Sequence, residues 1–187
     1  MRARLVLVPV LAGALAAMTV GASAAPKTLD GKKIKKLSIT ANGGAQSNDK
    51  DLATGLLGAP DRTECQMPRC ARLPFTYLPA KGIKGDLMFT VTWTNPASDI
   101  DLYVGEIAKD GSSSEIGHCA GFGQAHEKLF IPRSQLKPGK KYVLVVDFFR
   151  SLNETATGTV EINVPNTIST TVPAQADGQV QNINCTL

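Results

Sequence analysis

Two aspartates that are two residues apart, Asp99 and Asp101, are the residues most suited to chemistry in this sequence. In an extended chain such neighbours share one face within roughly 7 Å, so the repulsion between their carboxylates must be offset. Calcium would do so, because carbonyls of residues 95–98 could complete part of a shell of oxygen ligands. The alternative is structural, with each carboxylate accepting hydrogen bonds that fix the Asn95-Pro96 corner. The sequence favours the structural role and leaves calcium as a candidate cofactor.

The histidines His118 and His126 are the other candidates for catalysis, and the chain has two histidines in all. They flank Gly121-Phe-Gly123, which predicts a glycine-rich loop. No G-x-S-x-G elbow and no H-E-x-x-H helix accompanies them, so no motif supplies a nucleophile or a metal centre. We therefore predict that the protein is not an enzyme. The alternative is a small secreted hydrolase that uses the His118/His126 loop.

The cysteines are even in number, which favours disulfides in an exported chain. There are four of them: Cys65, Cys70, Cys119 and Cys185. The sequence allows three pairings. The loop from Cys65 to Cys70 is short and closes easily, which leaves Cys119 to pair with Cys185. We predict the disulfides Cys65–Cys70 and Cys119–Cys185. A metal site formed with the histidines is the alternative, although adjacent residues rarely bind one ion well.

The first 24 residues have the features of a secretory signal peptide. Arg2 and Arg4 precede an apolar run, and Ala22-Ser23-Ala24 predicts cleavage after Ala24. Removing this segment takes two of the 20 basic residues and none of the 16 acidic ones, so the balance falls to 18 − 16 = +2. That value argues against nucleic acid as a partner. No later stretch is long and apolar enough to span a bilayer. We expect a secreted monomer.

Period-two alternation of apolar and polar residues dominates the rest of the chain. It is clearest over Leu87–Thr94, where Trp93 is in phase with the apolar positions, and it recurs over Asp99–Val104. The run Tyr142–Phe149 is apolar in both phases, as expected of a central strand. With frequent turn residues, this pattern predicts an all-β, single-domain antiparallel sandwich or jelly roll. The predicted organisation is a signal peptide (1–24), a basic arm with a first strand and a loop (25–71), and the sandwich (72–187).

The alternating strands also carry a family resemblance. The segments Gly85–Thr94, Asp99-Ile-Asp-Leu-Tyr-Val104, Leu136–Val146 and Gly158–Val164 resemble the bacterial pre-peptidase C-terminal domain, with the match covering about residues 72–165. The resemblance implies a secreted, non-catalytic β-sandwich of the kind that accompanies exported hydrolases. It also implies a relation to the collagenase modules that bind collagen and calcium.

We thus predict that the protein acts by binding, and the sequence does not specify the ligand. Tyr103 is in phase with Asp99 and Asp101, so we expect it to be exposed as a candidate ligand contact. The five lysines between Lys27 and Lys36 form a basic tip, most simply a solvated arm, although screened charge could hold it to anionic cell-wall polymers or phospholipid headgroups. We predict a secreted protein that binds an extracellular protein or a cell-surface polysaccharide. The alternative beside the hydrolase is an accessory or inhibitor protein of an exported protease.

Overall fold

The alternating segments form β-strands that assemble into two sheets. A computed structural model describes residues 26–47, 67–121 and 123–165, and the backbone of residues 185–186. The strands of these ranges are, in chain order, β1 (Lys27–Leu29), β2 (Lys36–Asn42), β3 (Ala45–Ser47), β4 (Cys70–Tyr77), β5 (Leu87–Thr92), β6 (Asp99–Ile107), β7 (Ser113–Cys119), β8 (His126–Ile131), β9 (Lys141–Leu152), β10 (Thr155–Ile162) and β11 (Cys185–Thr186). One 3-10 turn, Arg133–Gln135, lies between β8 and β9.

The two sheets have different strand orders. The first sheet runs β1-β4-β9-β6-β7, and β3 pairs with the far part of β9. The second sheet runs β11-β8-β5-β10-β2. Neighbouring strands are antiparallel except for β1 and β4, which are parallel. The predicted all-β sandwich is confirmed.

The main core lies between the sheets and contains every second side chain of each alternating strand. Leu87, Phe89 and Val91 of β5 are fully buried there, and Trp93 joins them as its phase predicts. The central strand β9 is buried on both faces. One phase faces the main core, whereas Val143 and Val145 lie on the outer face of the first sheet. The core position of Trp93 and the central position of β9 therefore match the sequence pattern.

Strands β4 and β7 differ from what their sequences suggest. Proline usually limits a strand, yet β4 begins at Cys70 and continues through Pro74. Because β1 pairs only with Phe75–Tyr77, the position of Pro74 has no neighbour in β1. Strand β7 (Ser113–Cys119) was not predicted, and it contains His118, which was expected in the glycine-rich loop. It is an edge strand among the described residues, and its polar sequence gives no apolar alternation.

The segment expected to form a basic arm with a first strand supplies three strands to the sandwich. Strands β1 and β3 belong to the first sheet, and β2 belongs to the second. The predicted signal peptide, a short helix proposed within residues 49–57 and edge strands proposed at 169–172 and 179–183 lie outside the described residues. Of the described residues, none belongs to a helix with the length and apolar character needed to cross a membrane.

Candidate functional site

Tyr103 is buried, so the prediction of an exposed ligand contact is wrong. Only 5% of the residue is accessible, and the ring packs with Cys70, Val143 and Val145 on the outer face of the first sheet. Its hydroxyl donates a hydrogen bond to Oδ2 of Asp101 at 3.3 Å. The physical reason lies in β9, whose outward residues are apolar and form a second cluster. Alternation in β6 correctly separates two faces, but neither of them is open to solvent.

Asp99 and Asp101 both lie at the start of β6 and differ in their burial. Asp101 is 4% exposed and Asp99 is partly buried at the start of β6. In the described ranges, no three His, Cys, Asp or Glu side chains are arranged to hold a metal ion. Asn95 and Ser98 help to fix the preceding corner, since Oδ1 of Asn95 accepts the N–H of Ala97 at 3.0 Å and Ser98 Oγ accepts the N–H of Leu152 at 3.2 Å.

Glu127 is a buried acid that the sequence interpretation missed. It is 1% exposed, and Oε2 accepts the backbone N–H of Leu102 at 2.8 Å. Burial raises the pKa of Glu127 well above its ordinary value, and the negative charges of Asp101 and Asp99 raise it further. The signal in the sequence was its phase, because Glu127 alternates with Leu129 and Ile131, which are core residues.

The two histidines lie on strands of different sheets. His118 is in β7, where Nδ1 lies 2.6 Å from Oε1 of Glu115 and the ring packs 5.6 Å from that of Tyr103. His126 begins β8, opposite Thr92 in the second sheet. Among the described side chains, neither imidazole is hydrogen-bonded to a serine, threonine or cysteine. His118 and His126 therefore lie in strands and not within the predicted loop.

The lysines near the N-terminus are carried by a fixed turn and not by a free arm. Oδ1 of Asp30 accepts three backbone hydrogen bonds, from Lys32 and Lys33 at 2.8 Å and from Ile34 at 2.9 Å. These bonds lower the pKa of Asp30, since they stabilise its charged form. The parallel pairing of β1 with β4 anchors the preceding residues. The lysine side chains thus start from a defined backbone.

Two further loops pack beside this turn. Between β4 and β5, the backbone N–H groups of Leu78 and Ala80 donate to the carbonyls of Leu29 and Asp30. Between β8 and β9, the N–H of Arg133 donates to Oδ1 of Asp86 at 2.9 Å. The three segments meet at one end of the sandwich, which we call the basic end. Its exposed cations are Lys32, Lys33, Lys35, Lys81, Lys84, Arg133, Lys137 and Lys140.

The basic end carries more positive charge than its acids neutralise. Glu106 accepts Lys140 at 3.1 Å and Lys137 at 3.8 Å. Within the part of the chain that the structure describes, Lys81 and Lys84 form no ion pair. The exposed charge of the basic end is therefore net positive, a feature suited to binding an anion by long-range attraction.

Comparisons with known proteins add little to this geometry. No family model matches the chain, and no curated protein matches it. Among solved structures, the chain is similar to the Yersinia pseudotuberculosis-derived mitogen (YPM), with a TM-score of 0.38, 11% sequence identity, and coverage of 68% of this chain and 85% of the mitogen chain. At this similarity the comparison does not bear on function. The resemblance to the pre-peptidase C-terminal domain stays a prediction from the sequence motifs.

Proposed function

We propose that the protein is a secreted, non-catalytic β-sandwich that binds an anionic cell-surface ligand through its basic end. The observation that carries this proposal is the convergence of three chain segments, residues 30–36, 78–86 and 132–140, at one end of the sandwich. All three present exposed lysines. The mature chain predicted from the sequence is nearly neutral, so its attraction for an anion depends on this local concentration of charge.

The fixed backbone of the basic end favours binding. The turn held by Asp30 and the loop held by Asp86 position the lysines before a ligand arrives. Only the side chains then need to be ordered, which lowers the entropic penalty of association. Exposed charges act through screened electrostatics, so the affinity should fall as ionic strength rises. The separation of His118 from His126 gives no support to the hydrolase alternative.

Binding to soluble polymers tests the proposal directly. The full chain is titrated with an acidic polysaccharide and with a neutral polysaccharide of matched length, at low and high salt. We expect salt-sensitive binding to the acidic polymer only. The double variant Lys32→Gln/Lys33→Gln should bind about fivefold more weakly at low salt, since each exposed ion pair contributes up to about 1 kcal/mol.

A charge-matched control separates a local effect from net charge. Lys128→Gln/Arg150→Gln removes the same two charges away from the basic end and should bind like wild type. Equal losses in the two double variants would mean that net charge governs binding and that the basic end is not the surface. Equal affinity of wild type for the acidic and neutral polymers would contradict the proposal as a whole.

A further inference from the structure

Leu78 is an exposed apolar side chain inside the basic end. It is 51% exposed and lies in the loop that carries Lys81 and Lys84. Single exposed leucines are common on protein surfaces, so its exposure alone means little. Its setting is the informative feature, because its backbone N–H is bonded to the carbonyl of Leu29 at 3.2 Å, next to the lysine turn. The backbone that carries this side chain is therefore fixed beside the lysine turn.

Other side chains of these loops that could contact a ligand make hydrogen bonds within the protein. The hydroxyl of Tyr77 donates to the carbonyl of Gly85 at 2.8 Å, and that of Tyr142 accepts the N–H of Lys137 at 2.9 Å. Neither ring is available to stack on a sugar or a base. Arg133 Nη1 donates to the carbonyl of Ile83 at 3.4 Å, which occupies part of its guanidinium fork. The exposed groups of these loops are then mainly lysines, together with the aliphatic side chain of Leu78.

The geometry points to an anionic phospholipid bilayer as the partner of the basic end, with Leu78 as its apolar contact. Lysines respond to charge density more than to the shape of a single anion, and a leaflet of anionic headgroups supplies that density. The same leaflet offers an apolar layer just below the headgroups for Leu78. A soluble polyanion satisfies the lysines but leaves Leu78 in water. This inference rests on the proposed function, since it assumes that the basic end is the binding surface.

Vesicle sedimentation with the full chain tests the inference. The probes are vesicles of phosphatidylcholine alone and of phosphatidylcholine mixed with phosphatidylglycerol. We expect binding to the anionic vesicles only. Leu78→Ser should weaken it about tenfold, the loss expected when about half of a leucine no longer leaves water. Lys81→Gln/Lys84→Gln should weaken it by about 25-fold, because each lysine near an anionic surface contributes roughly fivefold.

The chain provides a matched control for the leucine. Leu152 is 54% exposed at the opposite end of the sandwich, so Leu152→Ser removes a similar apolar surface far from the lysines. This variant should bind vesicles like wild type. Thermal melting of each variant confirms that the fold is retained. Leu78→Ser should leave binding to the soluble acidic polysaccharide unchanged, because that ligand makes no apolar contact.

The outcomes separate this inference from the proposed function. Anionic vesicle binding that depends on Leu78 and on the two lysines supports both. Binding to the soluble polymer without binding to vesicles overturns the bilayer inference and leaves the proposed function standing. Vesicle binding that is equally insensitive to Leu78→Ser and Leu152→Ser also overturns it, because the leucine then contributes nothing. Binding to neither probe overturns both proposals.

Discussion

The carboxylate of Glu127 in β8 accepts the backbone N–H of Leu102 in β6, with Oε2 at 2.8 Å from the nitrogen. The two strands belong to different sheets, so this bond ties the second sheet to the first from inside the sandwich. Burial disfavours the charged form of the acid, and Asp101 and Asp99 add negative charge nearby. The N–H groups of Leu102 and Gly121 oppose both effects, yet the pKa of Glu127 remains well above its ordinary value of 4.5.

This buried acid should make stability fall as pH rises. The native protein keeps the Glu127 proton at pH values where the unfolded chain has lost it. The contribution to the free energy of unfolding is therefore full below the unfolded pKa of 4.5 and is lost as pH rises through the raised native pKa. Each pH unit between the two pKa values lowers the free energy of unfolding by about 1.4 kcal/mol.

Glu127→Gln stays neutral and should remove this pH dependence. Relative to wild type, the variant should gain stability as pH rises from below 4.5 to neutrality. Urea unfolding of both proteins across this range measures the difference. Glu161→Gln, which changes a half-exposed carboxylate paired with Lys36, serves as the control and should show little such change. A constant difference between Glu127→Gln and wild type would show that the pKa of Glu127 is the same in the native and unfolded states.

The strands were predictable where apolar alternation was strong, and β1, β3 and β7 were missed where it was weak. Strands β5 and β6 follow the predicted segments because each sends alternate apolar residues into the main core. Strand β7 could not be identified from Ser113–Cys119, since an edge strand need not alternate apolar and polar residues. Alternation also shows which residues share one face of a strand. It does not show whether other parts of the protein bury that face. For this reason Tyr103 was expected to be exposed and is buried.

The basic end could not be predicted from the sequence, because its residues are distant along the chain. Only the lysines near the N-terminus stand out as a cluster. Lys81, Lys84, Lys137 and Lys140 join them through the topology, since β4 and β8 end beside the turn that follows β1. The sequence shows part of this charge as a cluster, and the strand order brings the other lysines beside it.

We expect Asp101 to stabilise the fold independently of calcium. Asp101→Asn weakens the bond to the Tyr103 hydroxyl, and the free energy of unfolding should fall by about 1 kcal/mol. Tyr103→Phe, which removes the donor of the same bond, should give a loss of similar size. Thermal unfolding in millimolar calcium and in a chelator measures both variants. A melting temperature of wild type that rises by several degrees with calcium, and does not rise for Asp101→Asn, would instead establish a calcium site.

The histidines should not be needed for the activity of the protein. His118→Ala and His126→Ala are expected to leave ligand binding within about twofold of wild type, because neither residue belongs to the basic end. Titration with anionic vesicles and acidic polysaccharide provides the measurement. His118→Ala also removes a ring that packs against Tyr103, so its melting temperature should fall slightly. Loss of a measured turnover by a hundredfold or more, the scale of a removed general base, would favour the hydrolase alternative.

The cysteine pairing is a prediction that the strand order makes more specific. Cys70 and Cys119 are both disulfide-bonded, and neither is free among the described residues. Cys119 ends β7 and is fully buried in the main core, whereas Cys70 lies in the outer cluster of the first sheet. The backbone of β11, which contains Cys185, pairs with β8 and contacts β7. Peptide mapping without reduction should therefore recover Cys119 with Cys185 and Cys65 with Cys70. Recovery of Cys119 with Cys65 would contradict the prediction.

If this pairing holds, the two disulfides should differ in their effect on stability. The Cys119–Cys185 bridge closes a loop of 185 − 119 = 66 residues, against 70 − 65 = 5 for the other bridge. A longer loop restricts the unfolded chain more, so Cys185→Ser should lower the free energy of unfolding by about 4 kcal/mol and Cys65→Ser by about 2 kcal/mol. Each variant leaves the buried partner cysteine in place, which makes the comparison matched. Urea unfolding of both variants measures the difference, and a larger loss for Cys65→Ser would mean that the short bridge acts through contacts in the native protein and not through loop entropy.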